Sequence, residues 1–99
     1  MKVRILAPAQ DELEQAMAWY EAKVPALGDS FLVEISRVLK LIQQLPQAWH
    51  PLSVNTRRCR LNRFPYGVIY SETNGELVII AISHLHRNPM YWRKRFGSR

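Results

Sequence analysis

The spacing of apolar residues changes period once along this chain, and that change fixes most of what it can fold into. Before Pro46 the interval is helical. Leu13, Ala16, Met17 and Tyr20 fall at i, i+3, i+4 and i+7, and Phe31, Ile35, Val38, Ile42 and Leu45 make a second stripe, widened by Leu32 and Leu39. After Pro51 the period is two. Arg58 and Arg60 alternate with Cys59 and Leu61, which sends arginines to one side of a strand and core residues to the other. Two amphipathic helices followed by strands imply a helical hairpin laid on a sheet.

The predicted elements follow from the same spacing and from the breakers between them. Residues 3–6 read as a short strand closed by Pro8, and residues 9–23 as a helix. Asp11, Glu12 and Glu14 fall in its first turns, where carboxylates favour the positive end of the dipole. Pro25 and Gly28 break the chain. A second helix runs to about residue 45 with Asp29 or Ser30 as its N-cap, and Pro46 marks its end. A strand through 58–61 is joined by Phe64-Pro65 to strands over 66–72 and 76–84, and Asn74-Gly75 supplies the positive-φ residues of a tight hairpin. The unbroken apolar run from Leu77 to Ile82 fits a central strand covered by the helices. Residues 90–96 suit either a last helical turn or an irregular basic segment. The expected fold is α+β: one domain over residues 1–99, with a short N-terminal strand and a helical hairpin packed on a small antiparallel sheet in the order β-α-α-β-β-β.

At 99 residues and 47% hydrophobic, the chain can build one modest core. No stretch approaches the roughly 20 apolar residues of a membrane span, and the N-terminus is too soon interrupted for a signal peptide. A single cysteine, Cys59, excludes an internal disulfide and reads as a small core residue. A cytoplasmic, reduced location without membrane contact is expected.

The charge is lopsided. After Pro51, Arg57, Arg58, Arg60, Arg63, Arg87, Arg93, Lys94, Arg95 and Arg99 face only Glu72 and Glu76, whereas the first half carries five bases and six acids. A field so one-sided belongs to a surface that meets a negative partner. On a strand, Arg58 and Arg60 would share a face about 7 Å apart, close to the spacing of phosphates in a single strand. A second cluster, His84, His86, Arg87, Tyr91, Trp92 and Arg93, follows the last strand. Two histidines without a third ligand make a poor metal site, and there is no glycine-rich phosphate loop and no carboxylate pair in the basic half. No metal or cofactor is expected. Any phosphodiester cleavage would be metal-free, with arginines on the developing charge and His84, His86 or Tyr91 moving protons. Trp92 either stacks on a partner or pins the tail to the core.

These residues resemble a known family. The stretch Arg63-Phe64-Pro65-Tyr66-Gly67-Val68-Ile69-Tyr70, the later His84, Arg87, Pro89, Tyr91 and Trp92, the helix segment with Glu12, Leu13, Ala16, Trp19, Tyr20 and Glu21, and Leu27-Gly28 with Phe31 are together similar to the RelE/ParE superfamily of bacterial type II toxins. The resemblance lets the second helix begin nearer Pro25. It implies growth inhibition and a neutralising antitoxin, acidic and encoded adjacently. The Trp-Tyr-Glu helix and the Phe-Pro-Tyr strand resemble ParE-like plasmid-stabilisation proteins, which implies a non-enzymatic inhibitor of DNA gyrase. The alternative is a RelE-like, ribosome-dependent endonuclease of messenger RNA using Arg58, Arg60, Arg87, His84 and Tyr91, although no lysine lies between Lys40 and Lys94 where such sites carry them. A third possibility is a non-catalytic basic binding module or degenerate toxin. In the binding roles, Arg57, Arg58, Arg60, Arg63, His86, Trp92 and Arg93 would meet the target or the antitoxin.

Overall fold

The computed structural model describes residues 1–96, so Arg99, counted among the bases above, lies outside the described residues. The chain runs β1 (Lys2–Ile5), α1 (Ala7–Lys23), α2 (Leu27–Gln44), β2 (His50–Pro51), β3 (Arg57–Arg60), β4 (Tyr66–Thr73) and β5 (Glu76–His84). The five strands form one sheet in the order β1-β5-β4-β3-β2. β2 to β5 are an antiparallel meander, and β1 lies parallel to β5, with Lys2 opposite Glu76 and Ile5 opposite Ile79. The α+β class and element order hold. The sheet is mixed because the hairpin α1–α2 separates β1 from the meander and returns the chain over one face, a crossover that delivers a parallel neighbour. The two-residue β2 carries too little pattern to be seen in the sequence.

Helix starts also differ from expectation. α1 begins at Ala7 with Pro8 in its first turn, where a missing N–H costs nothing. Asp11, Glu12 and Glu14 therefore sit beyond the first turn. Neither Asp29 nor Ser30 caps α2. Its N-cap is Ala26, in the left-handed region at φ 72°. The orphan amides are met from the preceding helix: Glu21 accepts the Ala26 N–H at 2.8 Å and the Gly28 N–H at 3.0 Å. Gly28 permits this closeness, since a Cβ there would stand 2.7 Å from the Met17 carbonyl oxygen.

The hairpin buries Leu13, Ala16, Phe31, Ile35, Val38 and Ile42 against Cys59, Val68, Tyr70, Leu77, Ile79 and Ile82. Cys59 is a buried core residue, as expected, and burial raises its thiol pKa. Aromatic edges tie the layers together: Tyr20 lies 4.8 Å from Phe64, and Phe31 lies 5.0 Å from the same ring. A bulge interrupts the β4–β5 ladder, where Ile69 faces Ala81 but Tyr70 faces Ile79. The extra residue, Ile80, puts Ile80 and Ala81 on the same face. That second face, with Ile69 and Val78, is covered by the segment after β5, through Met90, Tyr91, Trp92 and Phe96. The segment is a succession of turns, with Tyr91 N–H to Asn88 O, Arg93 N–H to Met90 O and Arg95 N–H to Trp92 O. Asn88 opens it by accepting the Met90 N–H at 3.0 Å.

Candidate functional site

β1 ends opposite Ile79, so β5 continues past it with an unpaired edge. Glu12, on α1, fills that gap. Its Oε1 accepts the Ile82 N–H at 3.0 Å, and its two oxygens take a bidentate pair from Arg95 at 2.8 and 3.1 Å. Its Oε2 also accepts the Tyr91 hydroxyl at 2.5 Å, and Arg87 Nη1 lies 3.6 Å away. Arg95 reaches further, to the Ile80 carbonyl freed by the bulge, at 3.2 Å. The Tyr91 ring lies between two guanidinium groups, Arg87 at 3.9 Å and Arg95 at 4.9 Å from its centroid. Only 12% of the Glu12 side chain is exposed, so one nearly buried carboxylate anchors the basic tail to helix and sheet at once. Burial and the Glu12 bond push the Tyr91 hydroxyl up to about 12.

The four sheet arginines do not form one row. Arg58 and Arg60 point to the face that carries the tail. Arg60 is in register with Gly67, and Gly67 with Ser83 at the end of β5. The Arg58 stem lies across Gly67, where a Cβ would come within 2.9 Å of its Cγ and Cδ, and the Arg58 Nε is buried without a hydrogen-bond partner among the described residues. Arg57 faces the other way. It donates to Trp49 O at 2.8 Å and Gln47 Oε1 at 3.0 Å, beside a cavity of about 150 Å³ lined by Gln47, Arg57, Tyr70 and Glu72. Arg63 sits in the β3–β4 loop with its guanidinium 5.6 Å from the Phe64 centroid. That loop is held by Glu34, which accepts the Asn62 and Arg63 N–H groups at 2.7 and 3.2 Å. The Arg37 hydrogen bond, supported by the two backbone donors, brings the Glu34 carboxyl down to about 2.

The remaining candidates divide by exposure. His86 and Arg93 are exposed. Trp92 is 3% exposed, with its indole N–H on Pro89 O at 2.9 Å, so its ring packs the second core and has no face left for stacking on a partner. His84 Nδ1 accepts the His86 N–H at 3.1 Å, which leaves Nε2 as its free nitrogen. Among the described residues no three His, Cys, Asp or Glu side chains group as a metal site. The surface therefore offers guanidinium groups in quantity. The group best placed to move a proton, Tyr91, is held neutral and already bonded.

Residues 3–89 match the family described as ParE toxin of type II toxin-antitoxin system, parDE. The chain belongs to the ParE toxin family. It is 30% identical over 89 residues to Toxin ParE2 of Mycobacterium tuberculosis, covering 89% of this chain and 85% of that one. The fold is that of a solved chain titled "Chromosomal ParDE TA system from P. aeruginosa", with a TM-score of 0.76 at 19% identity over 87% of this chain and 97% of the other. The resemblance seen in the sequence thus resolves to the ParE side of the superfamily. The chain is a toxin of a class that pairs with a cognate antitoxin. The residues that sequence reasoning missed in this ParE chain are Glu12 as anchor and Arg95 as its bidentate partner. The one available signal was a carboxylate within the half-buried face of α1, adjacent to Leu13.

Proposed function

We propose that the protein arrests bacterial growth by binding DNA gyrase, not by cutting RNA, and that an acidic antitoxin encoded beside it silences it in the cytoplasm. The observation that carries this proposal is the family match over residues 3–89. The site supports the binding mode. A general acid or base works best with a pKa near the working pH. Tyr91 at about 12 is far from that, and its hydroxyl is engaged by Glu12. The exposed guanidinium groups of Arg60, Arg87 and Arg93 suit a carboxylate-bearing partner as well as phosphate. Arg58 and Arg60, with His86 and Arg93, would form the contact surface, and Arg57 and Arg63 would act at its margin.

Growth and RNA integrity separate the two modes. Induction should stop growth, co-expression of the antitoxin should restore it, and primer extension on abundant messages should show no codon-specific cuts during arrest. Cuts in the ribosomal A site that vanish in an Arg60→Ala, Arg87→Ala variant would replace this function with the nuclease.

A further inference from the structure

Every group that closes on the Glu12 carboxylate is a donor, and the donors come from two parts of the chain. β5 supplies the Ile82 N–H at 3.0 Å. The tail supplies the Tyr91 hydroxyl at 2.5 Å, the two Arg95 Nη atoms at 2.8 and 3.1 Å, and Arg87 Nη1 at 3.6 Å. A backbone amide, a hydroxyl and two guanidinium groups that converge on one point are the donor set of an oxyanion site. Charge points the same way. Two guanidinium groups face one carboxylate, and neither pairs with another acid among the described residues. A phosphate group near neutral pH carries about −1.5 to −2, which matches two guanidinium groups better than a single carboxylate does. The donors also have attachments of their own. The Tyr91 ring lies between the two guanidinium groups, Arg95 bonds the Ile80 carbonyl at 3.2 Å, and Ile82 is fixed opposite Val68 in the sheet. The site opens to solvent on one side, since the Arg87 side chain is 55% exposed and that of Arg95 only 19%.

We infer that Glu12 is a resident substitute for a phosphate: it fills an oxyanion site formed by the Ile82 N–H, Tyr91, Arg95 and Arg87, and so decides that this chain takes no phosphate group there. On the reading above, in which the toxin does not cut RNA, Glu12 is the side chain that keeps a phosphodiester out. Its carboxylate is tethered to α1, and a tethered group competes at an effective concentration of roughly millimolar or above. Free phosphate therefore does not displace it. Truncation to alanine would vacate the space of an acetate ion and leave every donor in place. Phosphate is one heavy atom larger, and its extra oxygen has room on the open side, next to Arg87.

Thermal unfolding of the full chain and its variants in about 50 mM inorganic phosphate, against chloride at matched ionic strength, tests the assignment. Glu12→Ala should gain about 5 °C or more in midpoint from phosphate beyond the gain of the wild-type protein. The wild type and Glu12→Gln, in which the site stays filled, should share only the small general gain that excluded anions give. Adding Arg95→Ala to Glu12→Ala should abolish the extra gain. If Glu12 served structure alone, phosphate would not rescue its loss at all. Should Glu12→Ala fail to fold in chloride, phosphate should restore its cooperative transition, and no recovery would overturn the assignment. So would a Glu12→Ala gain no larger than that of Glu12→Gln, or an extra gain that survives Arg95→Ala. A flat phosphate response leaves the gyrase reading standing, and a gyrase reaction that ignores the toxin leaves the phosphate response standing.

Discussion

Glu12 concentrates more of the tail's attachment than any other described side chain, since Tyr91, Arg95 and the Ile82 amide all end on its two oxygens. Glu12→Gln keeps the shape but puts an amide donor among donors. It should destabilise the fold by about 2–3 kcal/mol, read as a lower urea midpoint, because it leaves Arg95 largely buried without its counter-charge. Tyr91→Phe removes a single bond from the cluster and should cost about 1 kcal/mol. If Tyr91 serves structure, the phenylalanine variant still arrests growth. Loss of arrest in a stably folded Tyr91→Phe protein would return the hydroxyl to the chemistry. Glu34 predicts a pH dependence. Its folded pKa, about 2, lies below the usual carboxylate range, so its contribution is complete above about 4.5 and is lost as pH falls from there through 2. Glu34→Gln should be less stable at pH 6 and should flatten that acid limb, measured by denaturation at stepped pH.

At the level of elements, the helical hairpin depends on a close approach at Gly28. Gly28→Ala brings a Cβ to 2.7 Å from the Met17 carbonyl, a backbone atom that cannot swing aside. It should cost about 1–3 kcal/mol, seen as a drop in thermal midpoint. The two helices, the strands β3, β4 and β5 and the Asn74-Gly75 turn were legible because each repeats a period or carries its turn residues. The N-terminus of α2 was not, because its cap is a side chain from another helix, Glu21, and no local pattern announces a tertiary cap. The parallel pairing of β1 was equally hidden, since four residues carry no mark of their neighbour. Alternation placed Arg58 and Arg60 on one face, but it could not show that Arg57 turns back to Trp49 and Gln47, or that the bulge at Ile80 frees the carbonyl that Arg95 takes. The tail was the least legible, because its hydrogen bonds to Glu12 come from residues about 80 positions away.

Across the whole molecule, acids cluster on the hairpin and bases on the meander and tail. Two of the hairpin acids, Glu12 and Glu34, reach across to hold the basic segments in place. What remains outward on the meander and tail is chiefly positive, and its partners should be met through charge. Association with the antitoxin should slow and weaken as salt is raised from 50 to 500 mM, chiefly in the on-rate, as surface plasmon resonance would record. We propose that this ParE-family chain works by binding gyrase, not by cleaving RNA. Titration of purified toxin into a gyrase supercoiling reaction tests it most directly. Inhibition should saturate near stoichiometric toxin and be reversed by added antitoxin. Supercoiling left untouched at toxin concentrations that arrest growth would contradict it.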